Sequence, residues 1–534
     1  MFGVSNWLLA ASLALATAVY WLFKAIYMRT RFRGLPQPPK HSWIWAHTTI
    51  WEETAAKLPP FTHPQHVYTY MAQKYNLGGV FYVDMWPFVE SQMVITDPDA
   101  AQLVLTTTPY PKHPTIEKFL RPFTGPDSIA ASNGDRWRYN HRMVGSGFTP
   151  THVKPMAGMI AEQVLVFHER LCKFAASGEA FSMEEESAKA VFDVIGKVVF
   201  GFSLGAQTSG SPLLEDLRAS INPATTFIGT RNPWKKRKAE KSLQALKDRV
   251  RTTLADEMRE RLRILQDEKE LPSRRQVKSV LDRIVLDRIQ SGPGMGLDDD
   301  FIDTAVTNLK ALLLGGHGTT TDTFTWITMF LSLYPDVVAR LRKEHDESFH
   351  PDLDTTVEML VANPAKTNEM EYTNAVIKET LRFFPIGLTI RQAPPGVTHL
   401  DWNGSRWPVK NVMVVPCAHA THLDPAVWGP DAKSFRPERF LGEEAEGRHR
   451  FAWRPFERGP RACIAQDLAM DELRILMLLL VRWFDFETVV SGTSERVVYM
   501  DLDNKVGDLA FQMVGMEARP RHDMRMKVKL RERK

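Results

Sequence analysis

The sequence is poor in cysteine, in net charge and in repetitive segments. Its 534 residues include 3 cysteines, Cys172, Cys417 and Cys463, too few and too scattered for a disulfide framework or a C-x-x-C zinc site. The formal net charge is only +4, so the charge balance gives no indication of a nucleic-acid partner. No internal repeat or long low-complexity linker divides the chain. With a hydrophobic share of 44%, the sequence indicates a globular protein in a reducing compartment.

Charge is also missing from the first 23 residues, since Lys24 is the first charged side chain. Residues 7–26 form an apolar run of 20 residues, about 30 Å long as a helix at roughly 1.5 Å per residue, which matches a bilayer core. A cleaved secretory peptide is the alternative, but no basic segment precedes the run. We therefore predict a transmembrane anchor at residues 1–28. The arginines that follow predict that the rest of the chain faces the cytosol.

The proline-rich segment at residues 34–39 (GLPQPP) predicts a stiff, extended spacer after the anchor. We therefore predict a basic and proline-rich hinge at residues 29–44. Because no later segment has the composition of a linker, residues 45–534 are predicted to form one large domain rather than three.

Helical periodicity dominates residues 150–385. Strand-like segments are few and short: residues 80–84, 93–96 and 412–416. Asn403-Gly404 predicts a hairpin turn, and the alternating residues 524–530 predict an edge strand with a solvated face. The domain is therefore predicted to be mainly α with a minor β part.

The longest predicted helix has three glycines in its middle. It begins at residues 298–300, where three aspartates suit a helix N-terminus, and it ends at Leu333. Gly315, Gly316 and Gly318 each cost about 1 kcal/mol relative to alanine. Either something large approaches the backbone there or the helix opens locally. Two helices joined by a glycine loop are the alternative.

Cys463 has the surroundings of a metal-binding or catalytic thiol. It comes just before a segment with helical spacing, so a helix N-terminus would stabilise its thiolate. Gly459 permits a tight turn, and Arg461 adds a fixed positive charge two residues away. These features favour a soft ligand to iron or a nucleophile, and a buried structural cysteine is the alternative.

The segment around Cys463 resembles the haem-binding signature of the cytochrome P450 family, F-x-x-G-x-R-x-C-x-G. Phe456, Gly459, Arg461 and Cys463 match it, and Ala465 replaces the last glycine. The resemblance implies the cytochrome P450 fold, a large helical domain with a minor β-rich part. It also implies haem b, iron protoporphyrin IX, with Cys463 as the axial thiolate ligand of the metal.

Two further segments match the same family. Glu379 and Arg382 match its E-x-x-R helix, and residues 435–440 (FRPERF), which include Arg439, match the segment that follows. A Glu and an Arg three residues apart are commonplace as a surface pair. The resemblance implies instead a buried ion network of these three side chains on the proximal side of the haem.

The glycine-rich helix resembles the family's oxygen-binding segment, [A/G]-G-x-[D/E]-T-T. The resemblance implies that Thr319, followed by Thr320, hydrogen-bonds dioxygen and helps to deliver protons. Gly318 stands where an acid is usual. We therefore expect Asp322, one helical turn later, to feed protons through water.

Three more residues match the family's haem-propionate contacts. Trp137 and His141 resemble its W-x-x-x-R pair, with histidine in place of arginine, although Arg142 leaves the register open. Arg391 matches the second propionate-binding arginine. A surface cation is the alternative for each basic residue.

The resemblance implies a haem-thiolate monooxygenase that inserts one oxygen atom of O2 into a lipophilic substrate, by hydroxylation or epoxidation. The sequence is similar to those of fungal microsomal enzymes of natural-product pathways. A P450-like isomerase or dehydratase acting on a peroxide is one alternative, and a non-catalytic haem-binding or lipid-binding membrane protein is another. Cys463 and Thr319 favour the monooxygenase. Substrate identity and regiochemistry are not readable from the sequence.

The sequence has no flavin or nicotinamide motif, so electrons must come from a partner. The resemblance implies NADPH–cytochrome reductase and, with the anchor, a single-pass protein of the endoplasmic reticulum membrane whose catalytic domain faces the cytosol. An arginine cluster near Cys463 predicts a docking site for an acidic partner, and a solvated loop is the alternative. The cluster comprises Arg448, Arg450, Arg454, Arg458 and Arg461, opposed only by Glu457.

Apolar segments of the domain predict a lipophilic substrate pocket. They are residues 114–123, 221–228 and 386–390, together with the glycine-rich helix.

Overall fold

Helices carry most of the chain in the computed structural model, which describes residues 2–39, 41–230, 232–267, 271–273, 277, 279–291, 296–489 and 499–531. The first helices are α1 (Phe2–Thr30), α2 (Thr48–Ala55), α3 (Pro64–Lys74), α4 (Pro98–Gln102), α5 (Pro114–Thr124), α6 (Gly134–Gly145), α7 (Pro150–Val153), α8 (Ala157–Ser177), α9 (Met183–Phe200), α10 (Pro212–Ala219) and α11 (Ile221–Gly229). The later helices are α12 (Pro233–Asp267), α13 (Val280–Gln290), α14 (Asp299–Leu333), α15 (Pro335–Ser348), α16 (Leu353–Ala362), α17 (Glu371–Phe383), α18 (Ala418–His422), α19 (Pro425–Trp428), α20 (Gly442–Glu446), α21 (Gln466–Leu480) and α22 (Asp503–Val506).

The strands are short and form small sheets at the edges of the helical body. They are β1 (Val80–Val83), β2 (Gln92–Ile95), β3 (Phe181–Ser182), β4 (His399–Trp402), β5 (Ser405–Pro408), β6 (Met413–Pro416), β7 (Phe484–Thr488), β8 (Met513–Val514), β9 (Ala518–Arg519) and β10 (Arg525–Leu530). The sheet orders are β1-β2-β6, β3-β10-β7, β4-β5 and β8-β9, and the β2-β6 pair is parallel. Among the described residues the domain is therefore mainly α with minor sheets, as the sequence predicts.

The predicted β segments are confirmed, with one correction. The strands at residues 80–84, 93–96 and 412–416 correspond to β1, β2 and β6. Asn403 and Gly404, both with positive φ, form the tight turn between β4 and β5. The prediction of an edge strand at residues 524–530 is wrong in its position, because β10 pairs with β3 on one side and β7 on the other.

The glycine-rich segment lies within one continuous helix, α14, so the interpretation as two helices is wrong. The helix begins at Asp298, whose carboxylate accepts a hydrogen bond from the Phe301 N–H at 2.8 Å, and it ends at Leu333 as predicted. Large aromatic side chains fix its second half in the core. Trp326 stacks on Phe384 with ring centroids 3.7 Å apart. α14 therefore forms a central rod against which other elements pack.

The N-terminal helix α1 contains a segment, Leu9–Thr30, that is long and apolar enough to cross a membrane. The most apolar 18-residue stretch of this segment has a mean hydropathy of 1.7, and none of that stretch is buried in the core. An exposed helix of this length and composition suggests membrane anchoring.

The predicted hinge at residues 29–44 is in contact with the domain. The Arg29 guanidinium lies 2.7 Å from the Asp84 carboxylate, and both side chains are buried. The Phe32 ring stacks on that of Tyr82 at 4.1 Å. These contacts hold the start of the hinge against β1, while the domain boundaries themselves stay a prediction.

Candidate active site

Two adjoining cavities, of about 250 and 340 Å³, lie between α14 and the loop that precedes α21. Both are lined by Lys112, Gly315, Gly316, Arg461, Cys463 and Ala465. Because the same residues line both cavities, the two form a single slot. The backbone of α14 bounds it on one side and the cysteine loop, residues 456–465, bounds it on the other.

Cys463 lies in a tight loop. Its N–H donates to the Phe456 carbonyl at 2.9 Å, and the Ala462 N–H donates to the Gly459 carbonyl at 3.1 Å. Burial raises the pKa of the Cys463 thiol, and a hydrogen bond from the Ala465 backbone acts in the opposite direction. The loop thus holds a thiol in the wall of the slot, directly before α21.

The other two cysteines lie elsewhere. Cys417 is completely buried before α18, and burial raises the pKa of its thiol to about 11. Cys172 lies on α8 with its sulfur 3.7 Å from Nδ1 of His168. Of the three cysteines, all within the described residues, only Cys463 lines the slot.

Gly459 and Ala465 show where the loop needs glycine. Gly459 has φ of 78°, and a Cβ there would collide with the Leu105 carbonyl oxygen. Ala465 has φ of −100°, which any residue can adopt. The alanine that departs from the family signature therefore strains nothing in the backbone.

The three glycines of α14 face three different environments. A Cβ on Gly315 would have no heavy atom within 4 Å, because this residue faces the open slot. On Gly316 it would lie 2.7 Å from the Ile195 side chain of α9. On Gly318 it would lie 2.6 Å from the Glu517 carboxylate. Gly315 leaves the helix backbone open to a ligand, whereas Gly316, which also lines the slot, and Gly318 make room for protein side chains.

Thr319 and Thr320 both line the larger cavity. The Thr319 hydroxyl donates to the Gly315 carbonyl at 2.7 Å. Glu472 of α21 lies beside Thr320 at the same wall, and burial raises the pKa of its carboxyl to about 8. This wall therefore presents two hydroxyl groups and one carboxyl group that is protonated at neutral pH.

Asp322 lies on an adjoining face of α14 and lines neither cavity of the slot. It is 2% exposed. Burial raises the pKa of its carboxyl well above the usual range, and the neighbouring charge of Glu517 adds to that effect. The expected supply of protons from Asp322 to the slot through water stays a prediction. Because its side chain lines neither cavity, Asp322 does not contact the slot directly.

Cations gather at one edge of the slot. Lys112 donates to the Thr389 hydroxyl at 3.1 Å, and burial together with the charges of Arg391 and Arg461 lowers the pKa of its ammonium group to about 7. Arg391 lines neither cavity, but its charge acts on both Lys112 and Arg461, and its Nη1 donates to the Tyr110 carbonyl at 3.2 Å. Its buried Nε and Nη2 have no hydrogen-bond partner among the described residues. This edge is therefore prepared for anionic groups.

Trp137 and His141 of α6 lie at the same edge, with ring centroids 5.1 Å apart. The Arg461 guanidinium lies 4.8 Å from the Trp137 ring. Burial and the charge of Arg461 lower the pKa of His141. Arg142 is exposed and does not line the slot, whereas Trp137 and His141 both do, which favours Trp137 with His141 as the pair.

A buried ion network links α17 to the segment of residues 422–439 that precedes the cysteine loop. Arg382 donates to the Glu379 carboxylate at 2.8 Å and Arg439 donates to it at 3.1 Å, and all three side chains are completely buried. Arg382 also donates to the carbonyls of His422 and Ala432, both at 2.6 Å. The surface-pair interpretation of Glu379 and Arg382 is therefore wrong, because the pair crosslinks segments distant in sequence.

The predicted arginine docking cluster is not one exposed surface. Arg454 is completely buried and donates to the Pro416 carbonyl at 3.0 Å, and Arg461 faces the slot. Arg448 pairs with Glu444 at 2.8 Å. Arg450 is exposed and Arg458 is half-buried. Of the five arginines predicted to form a docking site, only Arg450 and Arg458 therefore remain as candidates for contact with a partner.

Two of the predicted substrate segments line the slot and two do not. Ile386 and its neighbours up to Thr389 line the larger cavity, as does the glycine-rich part of α14. Residues 114–123 and 221–228 line neither of the two cavities. The described lining is largely apolar, so the slot suits a lipophilic ligand.

The slot fits a flat ligand that carries a soft metal ion and carboxylates at one edge. Gly315 leaves one side without a side chain, and Cys463 offers a thiol on the other. The unpartnered nitrogens of Arg391 suit carboxylates at the edge.

Lys112, Glu472 and Glu517 are absent from the sequence prediction. Glu472 carried a detectable signal, because it is an acid on the apolar helix that follows Cys463. Lys112 and Glu517 carried none, since tertiary packing alone brings Lys112 to the slot and Glu517 to α14 at Gly318.

The chain is similar to known proteins over nearly its whole length. The family described as Cytochrome P450 matches residues 36–499. Cytochrome P450 monooxygenase acrF of Aspergillus aculeatus is 30% identical over 89% of this chain and 99% of its own length. Cytochrome P450 monooxygenase polC of Polytolypa hystricis is 27% identical over 98% of this chain and 94% of its own length.

A solved structure of a cytochrome P450 (CYP102L1) has a TM-score of 0.71 against this chain. It is 20% identical, and the match covers 93% of this chain and 99% of that one. At this identity the likeness concerns the fold.

Proposed function

Since this chain belongs to the cytochrome P450 family and is a haem monooxygenase, we propose that Cys463 is the thiolate ligand of its haem iron. We further propose that the enzyme oxidises a lipophilic substrate at a membrane. The observation that carries the ligand assignment is the position of Cys463, which is the only one of the three described cysteines to line the slot.

Haem, when bound with a thiolate ligand, supplies the cleavage of O2 that inserts one oxygen atom into the substrate. The protein contributes orientation, a dry site and controlled proton delivery. Gly315 lets the ligand approach the α14 backbone, and the loop from Phe456 to Cys463 holds the thiol opposite. The buried network of Glu379, Arg382 and Arg439 holds the segment that precedes this loop.

The cationic edge is proposed to bind the haem propionates. Arg391 and Arg461 supply guanidinium groups, and Lys112 supplies an ammonium group whose lowered pKa a bound carboxylate would raise again. Trp137 and His141 complete this edge.

Thr319 and its neighbour Thr320 are proposed to lie on the side of the slot where O2 reacts. Thr319 lies on the cavity wall, and its hydroxyl is already oriented by the Gly315 carbonyl at 2.7 Å. Because a hydroxyl has one hydrogen, Thr319 would donate toward the slot only after it releases the Gly315 carbonyl, and it would then receive a proton for each one that it passes on. Gly318 leaves the helix itself without an acid at the preceding position.

The substrate is proposed to be a lipophilic fungal secondary metabolite that is hydroxylated or epoxidised. The apolar lining of the slot, including Ile386 and Leu388, supports a lipophilic ligand. The names of the two fungal relatives, which are those of monooxygenases, support the reaction class.

Electrons are proposed to come from NADPH–cytochrome reductase at the endoplasmic reticulum membrane. The exposed Arg450 and half-buried Arg458 near the cysteine loop offer positive charge to an acidic partner. The exposed apolar helix α1 supports a single-pass anchor, and the arginines after it support a catalytic domain in the cytosol.

The carbon monoxide difference spectrum of the dithionite-reduced, full-length protein tests the ligand assignment. We expect a red-shifted, thiolate-type Soret band in the wild type and its loss in Cys463→Ala. Cys172→Ala is the matched control and should keep the band, because Cys172 lies on α8 outside the slot. A band that survives Cys463→Ala contradicts the assignment.

NADPH-dependent turnover with purified reductase then separates the monooxygenase from the peroxide isomerase. We expect product only when NADPH, O2 and reductase are all present. A product formed from a peroxide substrate without NADPH would instead support the isomerase.

A further inference from the structure

Gly318 of α14 and Glu517 compete for the same space. A Cβ on Gly318 would lie 2.6 Å from Oε1 and 3.2 Å from Cδ of Glu517. Glu517 belongs to the turn between β8 and β9, about 200 residues later in the sequence. A carboxyl group of the C-terminal hairpin thus stands where a side chain at position 318 would begin.

Backbone hydrogen bonds fix the hairpin in this position. The Ala518 N–H donates to the Ile386 carbonyl at 3.0 Å, and Ile386 lines the slot. The Val514 N–H donates to the Phe61 carbonyl at 2.8 Å. Because both strands of the hairpin are anchored, the Glu517 carboxyl is held against α14.

Glu517 and Asp322 form a buried acid pair on one face of α14. Among the described residues, the buried Oε2 of Glu517 and Oδ2 of Asp322 have no hydrogen-bond partner. Burial raises the pKa of Glu517 to about 7, and burial with the charge of Glu517 raises that of Asp322 well above its usual range. The charged groups that face the pair are Glu184 on α9, Arg218 on α10 and Arg519 on β9.

The acid pair has a partly exposed ion pair near it on one side and the slot-lining part of α14 on the other. On the outer side, Glu184 pairs with Arg218 at 2.8 Å, and their side chains are 20% and 31% exposed. On the inner side, Gly318 immediately precedes Thr319, whose side chain lines the slot. A proton that leaves the acid pair can therefore be replaced from solvent near Glu184, without water having to enter the slot.

We propose that Glu517 supplies the acid that α14 lacks at Gly318 and that it stores, with Asp322, a proton used in the oxygen reaction. The inference rests on the proposed monooxygenase function. In each turnover, NADPH, H⁺, O2 and substrate RH give NADP⁺, ROH and water. Glu517 releases a proton toward the Thr319 side, becomes a carboxylate and is protonated again from solvent past Glu184. When this supply fails, O2 that has accepted two electrons leaves the site and takes two protons from solvent, which gives hydrogen peroxide and no ROH.

Thermal unfolding tests, independently of turnover, whether a side chain at position 318 and the Glu517 carboxyl would occupy the same space. Gly318→Ala should lower the Tm of the wild type, because its methyl group collides with the carboxyl, and it should cost much less in a Glu517→Ala background. Glu517→Gln should also change the pH dependence of Tm. A carboxyl with a folded pKa of about 7 and an ordinary value of 4.5 binds extra protons in the folded state between these values. Its contribution to stability therefore falls as pH rises through that window, and the glutamine variant should lose this fall.

Coupling of NADPH oxidation to product formation tests the proton role. Glu517→Gln keeps the shape of the side chain but removes the acid, and it should lower product per NADPH roughly tenfold or more, with matching release of hydrogen peroxide. Glu487→Gln, at an exposed position of strand β7, is the matched control and should couple like the wild type. Glu517→Ala combined with Gly318→Asp moves the acid onto the helix and should restore coupling.

The outcomes separate the parts of the proposal. Wild-type coupling in Glu517→Gln overturns the proton role, even where the stability of Gly318→Ala depends on Glu517. Equal Tm losses for Gly318→Ala in both backgrounds overturn the shared space. A thiolate-type carbon monoxide band that survives Cys463→Ala would instead overturn the ligand assignment, and the stability result would still stand.

Discussion

At position 459 the backbone of the cysteine loop passes so close to Leu105 that no side chain fits between them. The same loop carries Cys463 four residues later, and the Cys463 N–H is bonded to the Phe456 carbonyl at 2.9 Å. The position of the thiol therefore depends on a glycine that does not itself face the ligand. Phe456 and Arg461 line the slot from the same loop.

Gly459→Ala is expected to lower both the Tm and the fraction of purified protein that carries haem. The left-handed backbone at φ 78° costs an alanine about 1–3 kcal/mol, and the collision with the Leu105 carbonyl would also displace the loop. Thermal unfolding and the ratio of haem to protein absorbance measure the two effects.

Ala465→Gly is the matched control for this prediction. It restores the usual family residue in the same loop, at a φ of −100° that favours neither residue strongly. Its haem content should equal that of the wild type. Equal losses in Gly459→Ala and Ala465→Gly would contradict the steric argument.

Helix α14 combines three functions on three of its faces. Gly315 opens the helix to the slot, Gly316 borders the slot and packs on α9, and Gly318 faces the Glu517 hairpin. Each of the three glycines, which weaken a helix, therefore has its own structural reason in α14. The large buried aromatics of its second half, such as Trp326 against Phe384, fix the helix in the core after this stretch.

Gly316→Ala is expected to destabilise the protein through the contact between α9 and α14. The new methyl group would lie 2.7 Å from Cδ1 and 2.8 Å from Cγ1 of Ile195, and overpacking of this kind costs about 1–3 kcal/mol. Ile195→Ala in the same chain should relieve most of the loss. A double-mutant cycle on thermal unfolding measures this interaction.

Gly315→Ala serves as the control on the same helix. Its methyl group meets no atom within 4 Å, so it should not strain the contact with α9. If Gly315→Ala and Gly316→Ala respond alike to Ile195→Ala, the interpretation of the helix contact is wrong.

The sequence indicated those parts of the site that lie close together along the chain. Cys463 and its loop were recognisable because turn, charge and thiol fall within eight residues, and Glu379 with Arg382 because they share one helix. Lys112 and Glu517 were not predictable, since each reaches the site through packing between distant segments. The reason for the glycines in α14 was ambiguous from the sequence for the same cause. Gly316 makes room for Ile195 and Gly318 for Glu517, and both contacts come from distant segments.

At the scale of the whole molecule, the anchor and the domain are joined by contacts rather than by a free spacer. The Arg29 guanidinium donates to the Ile44 and Trp86 carbonyls as well as to the Asp84 carboxylate. Next to it, the side chains of Trp43 and Ile44 are 64% and 71% exposed. Large apolar side chains beside the end of α1 suit a domain that rests on the membrane surface.

Two truncations separate the anchor from the fold. Deletion of residues 2–28 is expected to release the protein from membranes in alkaline carbonate while it keeps its haem, because the contacts of Arg29 persist. Deletion of residues 2–35 should lower the stability further, since it removes Arg29 and the stacking of Phe32 on Tyr82. Loss of one partner of a buried ion pair costs about 3 kcal/mol or more, because Asp84 would be left buried without Arg29.

Arg29→Ala within the shorter deletion isolates the ion pair. If the fold depends on this contact, the variant should reproduce most of the stability difference between the two truncations, measured by thermal unfolding with haem content as the second readout. Equal stability of both truncations would show that residues 29–35 are a free spacer after all. Membrane retention of the shorter deletion in carbonate would show that α1 is not the sole anchor, and the exposed side chains of Trp43 and Ile44 would then be the next to replace.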